Sequence, residues 1–222
     1  MNQARTLYRS TVGKKALLAV SGAGLLVFVF AHMLANLQIF AVFGGRAGLD
    51  GYARALHGAP LLLWGARAAL AVCAATHLLI AAQLTGIKRA ARPVPYRTRT
   101  DLRASVASRT MGVSGVVLAL FVPIHLANLT WGNLHPHFVA LAAYQNVVSL
   151  LRLAPVSAFY LVAMLALGLH LGHGARSLFA SLGMGASRGG ARALRLLAQG
   201  VGLATVAGFV AVVVAVAVGL AR

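Results

Sequence analysis

Hydrophobic positions in this chain gather into five long blocks, separated by stretches where arginine and lysine return. The blocks cover roughly 16–40, 60–84, 111–131, 156–178 and 198–220, and each meets the about 20 apolar residues that a helix needs to cross a bilayer core. The pattern predicts an all-α membrane protein of five transmembrane helices, with residues 1–222 forming one transmembrane domain and the first four helices forming a bundle. Pro60 and Pro155 stand at helix starts, where a missing N–H is tolerated. Pro93 and Pro95 mark the second connection as irregular, and the Gly- and Ser-rich stretch from Ser181 to Gly190 reads as a short connector. The block from Ala16 to about Phe43 is too long for the apolar region of a signal peptide and lacks a cleavage site, so it reads as a span that stays. The blocks show no internal repeat and no low-complexity tract.

Composition supports the same picture. The 222 residues are 60% hydrophobic, more apolar surface than a soluble domain of this size could hide. Asp50 and Asp101 are the two acids against twenty Lys and Arg. These basic residues lie in short loops rather than along one folded face, which argues against nucleic-acid binding. They also lie asymmetrically. The N-terminal segment has Arg5, Arg9, Lys14 and Lys15; the second connection has Lys88, Arg89, Arg92, Arg97, Arg99, Arg103 and Arg109; the fourth has Arg188, Arg192 and Arg195. The first has Arg46 and Arg54, and the third Arg152. The positive-inside rule then predicts a cytoplasmic N-terminus and an outer C-terminus at Arg222. Cys73 is the only cysteine, so an internal disulfide, a CxxC metal knuckle and the CxxCH attachment of a c-type haem are all excluded.

Four of the eight histidines, His32, His77, His125 and His170, lie deep in separate blocks. Ionisable side chains inside a bilayer are costly and point to function; the alternative is a neutral imidazole bonded to a hydroxyl or a carbonyl. Depth separates the four into pairs. His32 lies seventeen residues past Lys15, about 25 Å along its helix, and His125 lies sixteen past Arg109 on a helix running the same way. On the returning helices, His77 precedes Lys88 by eleven residues and His170 precedes Arg176 by six. One outer and one inner pair result, each from alternate helices of a bundle. An imidazole on each side of an iron makes a six-coordinate haem suited to electron transfer, so the pattern predicts two b haems. No carboxylate or thiolate accompanies the imidazoles, which disfavours a bare metal site. The twenty-four glycines allow close helix approach and would also make room for a flat cofactor.

His173 shares a helix face with His170, so spacing alone permits either as the inner ligand. His57, His135 and His137 read as solvated or interfacial. Arg67 and Arg176 are the candidate cationic partners of the outer and inner haem propionates, against the alternative that they snorkel to the headgroups. Tyr52 and His57 are candidates for hydrogen-bonding a quinone near the outer pair.

Several runs together resemble a known family: Gly13-Lys14-Lys15, Ser21-Gly22 and Ala31-His32-Met33 with Asn36; Leu61 to Arg67 with His77 ten residues on; Pro123-Ile124-His125; and His170-Leu171-Gly172-His173-Gly174-Ala175-Arg176-Ser177. In order and spacing they resemble the five-helix dihaem cytochrome b (b558-type) membrane anchor of succinate dehydrogenase and fumarate reductase, over essentially the whole chain. The resemblance implies flavoprotein and iron–sulfur subunits on the cytoplasmic face of a bacterial inner membrane, menaquinone as the quinone substrate, and room for a higher oligomer of the complex. It also implies that the dicarboxylate chemistry belongs to the flavoprotein. It favours His170 over His173, because a glycine, here Gly174, follows the ligand by four residues. Some members carry a glutamate two residues before that ligand; here the position is Gly168, and no carboxylate proton relay is expected. Other readings are the dihaem anchor of a hydrogenase, formate dehydrogenase or nitrate reductase, and a haem-free transporter component relaying protons through its histidines.

Overall fold

The computed structural model describes residues 8, 10–91, 109–182 and 188–221. Arg5, Arg9, Asp101, Arg222, the segment 92–108 with its prolines and most of its arginines, and the middle of the Ser181–Gly190 connector lie outside the described residues. Among the described residues seven α-helices follow in order: α1 Thr11–Leu37, α2 Gly45–His57, α3 Pro60–Ala90, α4 Met111–Leu129, α5 Ala143–Leu151, α6 Ala154–Ser181 and α7 Arg188–Ala217. Five of them, α1, α3, α4, α6 and α7, are long and apolar enough to cross a membrane. Their outward faces are apolar as well: Leu61 is 90% exposed and Leu203 73%, which water would not tolerate over such an area but lipid does.

The expected spans are all present, with shifted ends. α1 begins earlier because Ser10 caps it, its hydroxyl accepting from Gly13 N–H at 2.9 Å. Pro60 opens α3 and Pro155 lies in the first turn of α6. The connector expected from Ser181 is helical at both described ends, as α6 continues through Ser181 and α7 begins at Arg188.

The first and third connections are not plain loops. They hold the short helices α2 and α5, which pack on each other at one end of the bundle. Gly44 (φ 119°) and Gly45 (φ 59°) turn the chain from α1 into α2 through backbone that favours glycine. The Asp50 carboxylate on α2 accepts from Tyr144 N–H, in the first turn of α5, at 2.8 Å, and the Arg46 guanidinium lies 5.1 Å from the centre of the Tyr144 ring. One of the chain's two acids thus supplies an acceptor that the start of a helix lacks. His135, expected at the surface, is instead 7% exposed. Its Nε2 donates to the Asn146 carbonyl at 2.9 Å and its Nδ1 accepts from His137 N–H at 2.9 Å. Asn146 in turn clasps Val139 through both backbone groups, so the loop before α5 is tied to it by buried bonds. His137 and His57 are exposed as expected.

α6 and α7 pack most extensively, and α1 packs on α3, α6 and α7, while α4 packs on α6. Gly208 of α7 makes this possible, since a Cβ there would collide with Met33 of α1. The core lies where α5, α6 and α7 meet, around Leu150, Leu151, Ala163 and Val216.

The fold also corrects the reading that the chain has no repeat. α1–α2–α3 and α4–α5–α6 are each a span, a short end helix and a returning span. Ser21-Gly22 precedes His32, and Ser114-Gly115 precedes His125, at the same spacing; Phe28 and Phe121 stand four residues before each histidine. Ala35-Asn36-Leu37 and Ala127-Asn128-Leu129 close the two helices, displaced by one residue because Met33 is extra. α7 stands outside the repeat.

Asp50→Ala should remove the acceptor at the start of α5 and lower stability by about 1 kcal/mol, measured by unfolding in detergent, while Asp50→Asn should keep part of it.

Candidate functional site

The four deep histidines come from four different spans and meet as two pairs. His32 on α1 and His125 on α4 have ring centres 5.9 Å apart at an interplanar angle of 84°. His77 on α3 and His170 on α6 are 6.2 Å apart at 62°. His32 lies five residues before Leu37, and His125 four before Leu129, so their pair is near the α2/α5 end. His77 and His170 lie about 25 Å down their helices from that same end.

The helices that carry each pair are not the ones that pack backbone to backbone. Among the described residues, neither α1 with α4 nor α3 with α6 is a closely packed pair; the imidazoles bridge gaps between helices whose positions are fixed by other contacts. Glycines of the repeat set the other pair in place. A Cβ on Gly22 would lie 3.1 Å from His77 Cε1, and one on Gly115 would lie 3.6 Å from His170 Cε1. Each of α1 and α4 therefore gives a histidine to one pair and a bare stretch of backbone to the other.

Hydrogen bonds fix which nitrogen is free. Ser21 Oγ lies 3.4 Å from His77 Nδ1 and donates its own proton to the Leu17 carbonyl at 2.8 Å. It can therefore only accept from the ring, and the Leu18 carbonyl is a further acceptor for His77. His77 thus carries its proton on Nδ1 and leaves Nε2 as a lone pair. His125 Nδ1 meets the Tyr160 hydroxyl at 3.2 Å, and Tyr160 also bonds the side chain of Asn128. At His32 the contact falls on Nε2, 3.3 Å from Asn36 Nδ2. His170 Nδ1 is buried with no partner among the described residues.

Aromatic rings surround the His32–His125 pair. Phe28 stacks on His32 at 5.4 Å and 14°, Phe121 on His125 at 5.4 Å and 28°, and Phe209 of α7 reaches His32 at 5.8 Å. Serine and glycine line the other pair.

The remaining candidates are not drawn into either pair. Arg67 is half-buried with its guanidinium 4.9 Å from the Trp64 ring centre. Arg176 is half-buried and returns its Nε to the Gly172 carbonyl at 2.7 Å. Tyr52 is 44% exposed on α2, and His57 bonds the Ala53 carbonyl of its own helix at 2.8 Å. His173 is half-buried one turn beyond His170. Phe28, Phe121, Asn128 and Tyr160 escaped the sequence reading, and Ser21 and Asn36 entered it only as part of the resemblance; the Ser-Gly and Phe spacing to the two histidines was the signal that could have found most of them.

Among the described residues no group of three or more His, Cys, Asp or Glu could hold a metal. Two imidazoles alone suit a metal whose other ligands arrive with it, as in a porphyrin. Imidazoles bonded in line to one metal at about 2 Å each would have ring centres about 6 Å apart, and both pairs have that separation. The residues fit such a group.

A bundle of five apolar helices, four of them meeting through opposed imidazoles at two depths, defines an all-α integral membrane protein. Residues 88–218 match the family described as succinate dehydrogenase/fumarate reductase transmembrane subunit. The chain belongs to this family, the membrane anchor of a complex with other subunits. No match to it is found among curated proteins or among solved structures. The matched stretch contains His125 and His170; His32 and His77 lie before it. Family membership sets aside the anchors of hydrogenase, formate dehydrogenase and nitrate reductase.

Gly22→Val should press a branched side chain into His77 and cost about 1–3 kcal/mol in an unfolding measurement. Gly86→Val, where a Cβ meets nothing within 4 Å, should change stability by about 0.5 kcal/mol or less.

Proposed function

We propose that this chain passes electrons between the iron–sulfur subunit of its complex and a membrane quinone, through two b haems held by His32 with His125 and by His77 with His170. The observation that carries the reading is the pairing itself: two sets of facing imidazoles, at different depths, with ring centres 5.9 and 6.2 Å apart. When bound, the haems would supply reversible one-electron chemistry.

The chain's own residues hold, orient and insulate. Ser21 keeps the His77 proton on Nδ1 and so directs Nε2 toward His170. Tyr160 with Asn128 orients His125, and Phe28, Phe121 and Phe209 keep water from the upper pair. Loop charge supports a cytoplasmic N-terminus with the His77–His170 pair toward that side, where the resemblance puts the flavoprotein and iron–sulfur subunits. Electrons from succinate oxidation would then enter at His77–His170 and leave at His32–His125 toward a quinone, for which menaquinone is the proposed species. Tyr52 and His57 on α2 lie at that exit end, and Arg67 and Arg176 are the proposed propionate partners, each requiring a side-chain movement from its present bond. No Asp or Glu lies in α1, α3, α4, α6 or α7, so quinone protons do not pass through a carboxylate chain in this subunit.

A haem assay with reduced-minus-oxidised spectra on the purified chain should give two b haems. Alanine at His32, His77, His125 or His170 should lose haem, and His173→Ala should keep both. Colourless protein from haem-replete cells would overturn the reading and favour a proton relay through the histidines.

A further inference from the structure

The two inner-pair histidines sit in matched settings that differ at one atom. Gly22 of α1 lies against His77, and an added Cβ would be 3.4 Å from its Nδ1; the neighbouring Ser21 supplies that nitrogen with its acceptor at 3.4 Å. Gly115 of α4 lies against His170 in the same way, with the added Cβ 3.8 Å from Nδ1. Its neighbour Ser114 occupies the position that the repeat gives to Ser21. Yet His170 Nδ1 is the buried side-chain polar atom that has no partner among the described residues. In a lipid-surrounded bundle such an orphan is costly, because no bulk water can satisfy it.

Ser114 has what this nitrogen lacks. It is 2% exposed, and its hydroxyl donates to the Met111 carbonyl at 3.1 Å, so the oxygen lone pairs remain able to accept. Ser21 does the same one repeat earlier, donating to Leu17 while accepting from His77. The difference between the two glycine distances, 3.8 against 3.4 Å, is a few tenths of an ångström of helix approach.

We propose that Ser114 accepts a hydrogen bond from Nδ1–H of His170 and is a positioning residue, the partner of Ser21. The two serines then hold both imidazoles in the same tautomer, with each Nε2 lone pair facing the other ring. The contact itself stands on the repeat and the orphaned nitrogen. Its consequence for a redox group rests on the bis-histidine reading: an acceptor at Nδ1 makes the imidazole a stronger donor through Nε2 and favours the oxidised metal.

The test has two arms on the full chain. In the haem-free protein with 15N-labelled histidine, the His170 signal, assigned by its loss in His170→Ala, should report a proton on Nδ1. Ser114→Ala should shift that resonance, and Ser114→Thr should restore it. In the haem-loaded protein, Ser114→Ala should raise one of the two midpoint potentials and leave the other in place, with Ser114→Thr close to the parent. A His170 resonance that ignores Ser114→Ala, or a ring protonated on Nε2, overturns the proposal. So does a Ser114→Ala protein that keeps both haems with unchanged potentials. Should the parent chain bind no haem, the functional reading fails, while the 15N arm still decides the Ser114 contact. Should Ser114→Ala fail to fold, the parent spectrum decides it through the position of the proton.

Discussion

An imidazole has two nitrogens with opposite needs, one to donate and one to accept, and inside a bundle surrounded by lipid neither need can be met by bulk water. Much of the arrangement around the four deep histidines follows from that constraint. Ser21 and Tyr160 answer one nitrogen of His77 and His125. Because hydroxyls of neighbouring helices do this work, ring orientation depends on helix packing as well as on side-chain freedom. α7 takes part by packing on α1 and α6, and Gly208 lets it come close enough for Phe209 to reach His32.

The end helices serve the same purpose from further away. α2 and α5 join the two repeats across the top of the bundle, and the Asp50 bond to Tyr144 with Arg46 stacked over the ring holds them together. The His135 and Asn146 bonds tie the intervening loop down. Neither helix carries one of the four paired histidines, but each sets where the flanking spans end and so the depth at which His32 and His125 stand.

Spans and histidine depths were legible in the sequence because both depend on length alone: apolar runs count residues against bilayer thickness, and rise per residue converts spacing into depth. α2 and α5 were not, since helices of 13 and nine residues are too short to count against the bilayer. His135 looked like a surface residue for the same reason; its burial comes from Asn146, brought close only when α5 forms. The repeat was masked by one extra residue, Met33, and by unlike filling between the shared Ser-Gly, Phe and His positions. Arg67 and Arg176 were expected at haem propionates, but depth does not say what a guanidinium turns toward: Arg67 lies against the Trp64 ring and Arg176 bonds the Gly172 carbonyl, each on its own helix.

Duplication makes the two members of each histidine pair alike, since each repeat gives one histidine to each pair, and it leaves the two pairs free to differ. They differ in two ways. Within the repeat, the pair near α2 and α5 is walled by stacked phenylalanines, while the other is set against glycine backbone and serine hydroxyls. Outside it, α7 adds Phe209 to His32 and has no partner to add the same ring to His125. An aromatic, dry surround and a hydroxyl-bonded one stabilise different charge states of whatever the imidazoles hold. Two sites built from one repeated plan thereby become unequal, and inequality between successive sites is what an electron route needs in order to have a direction.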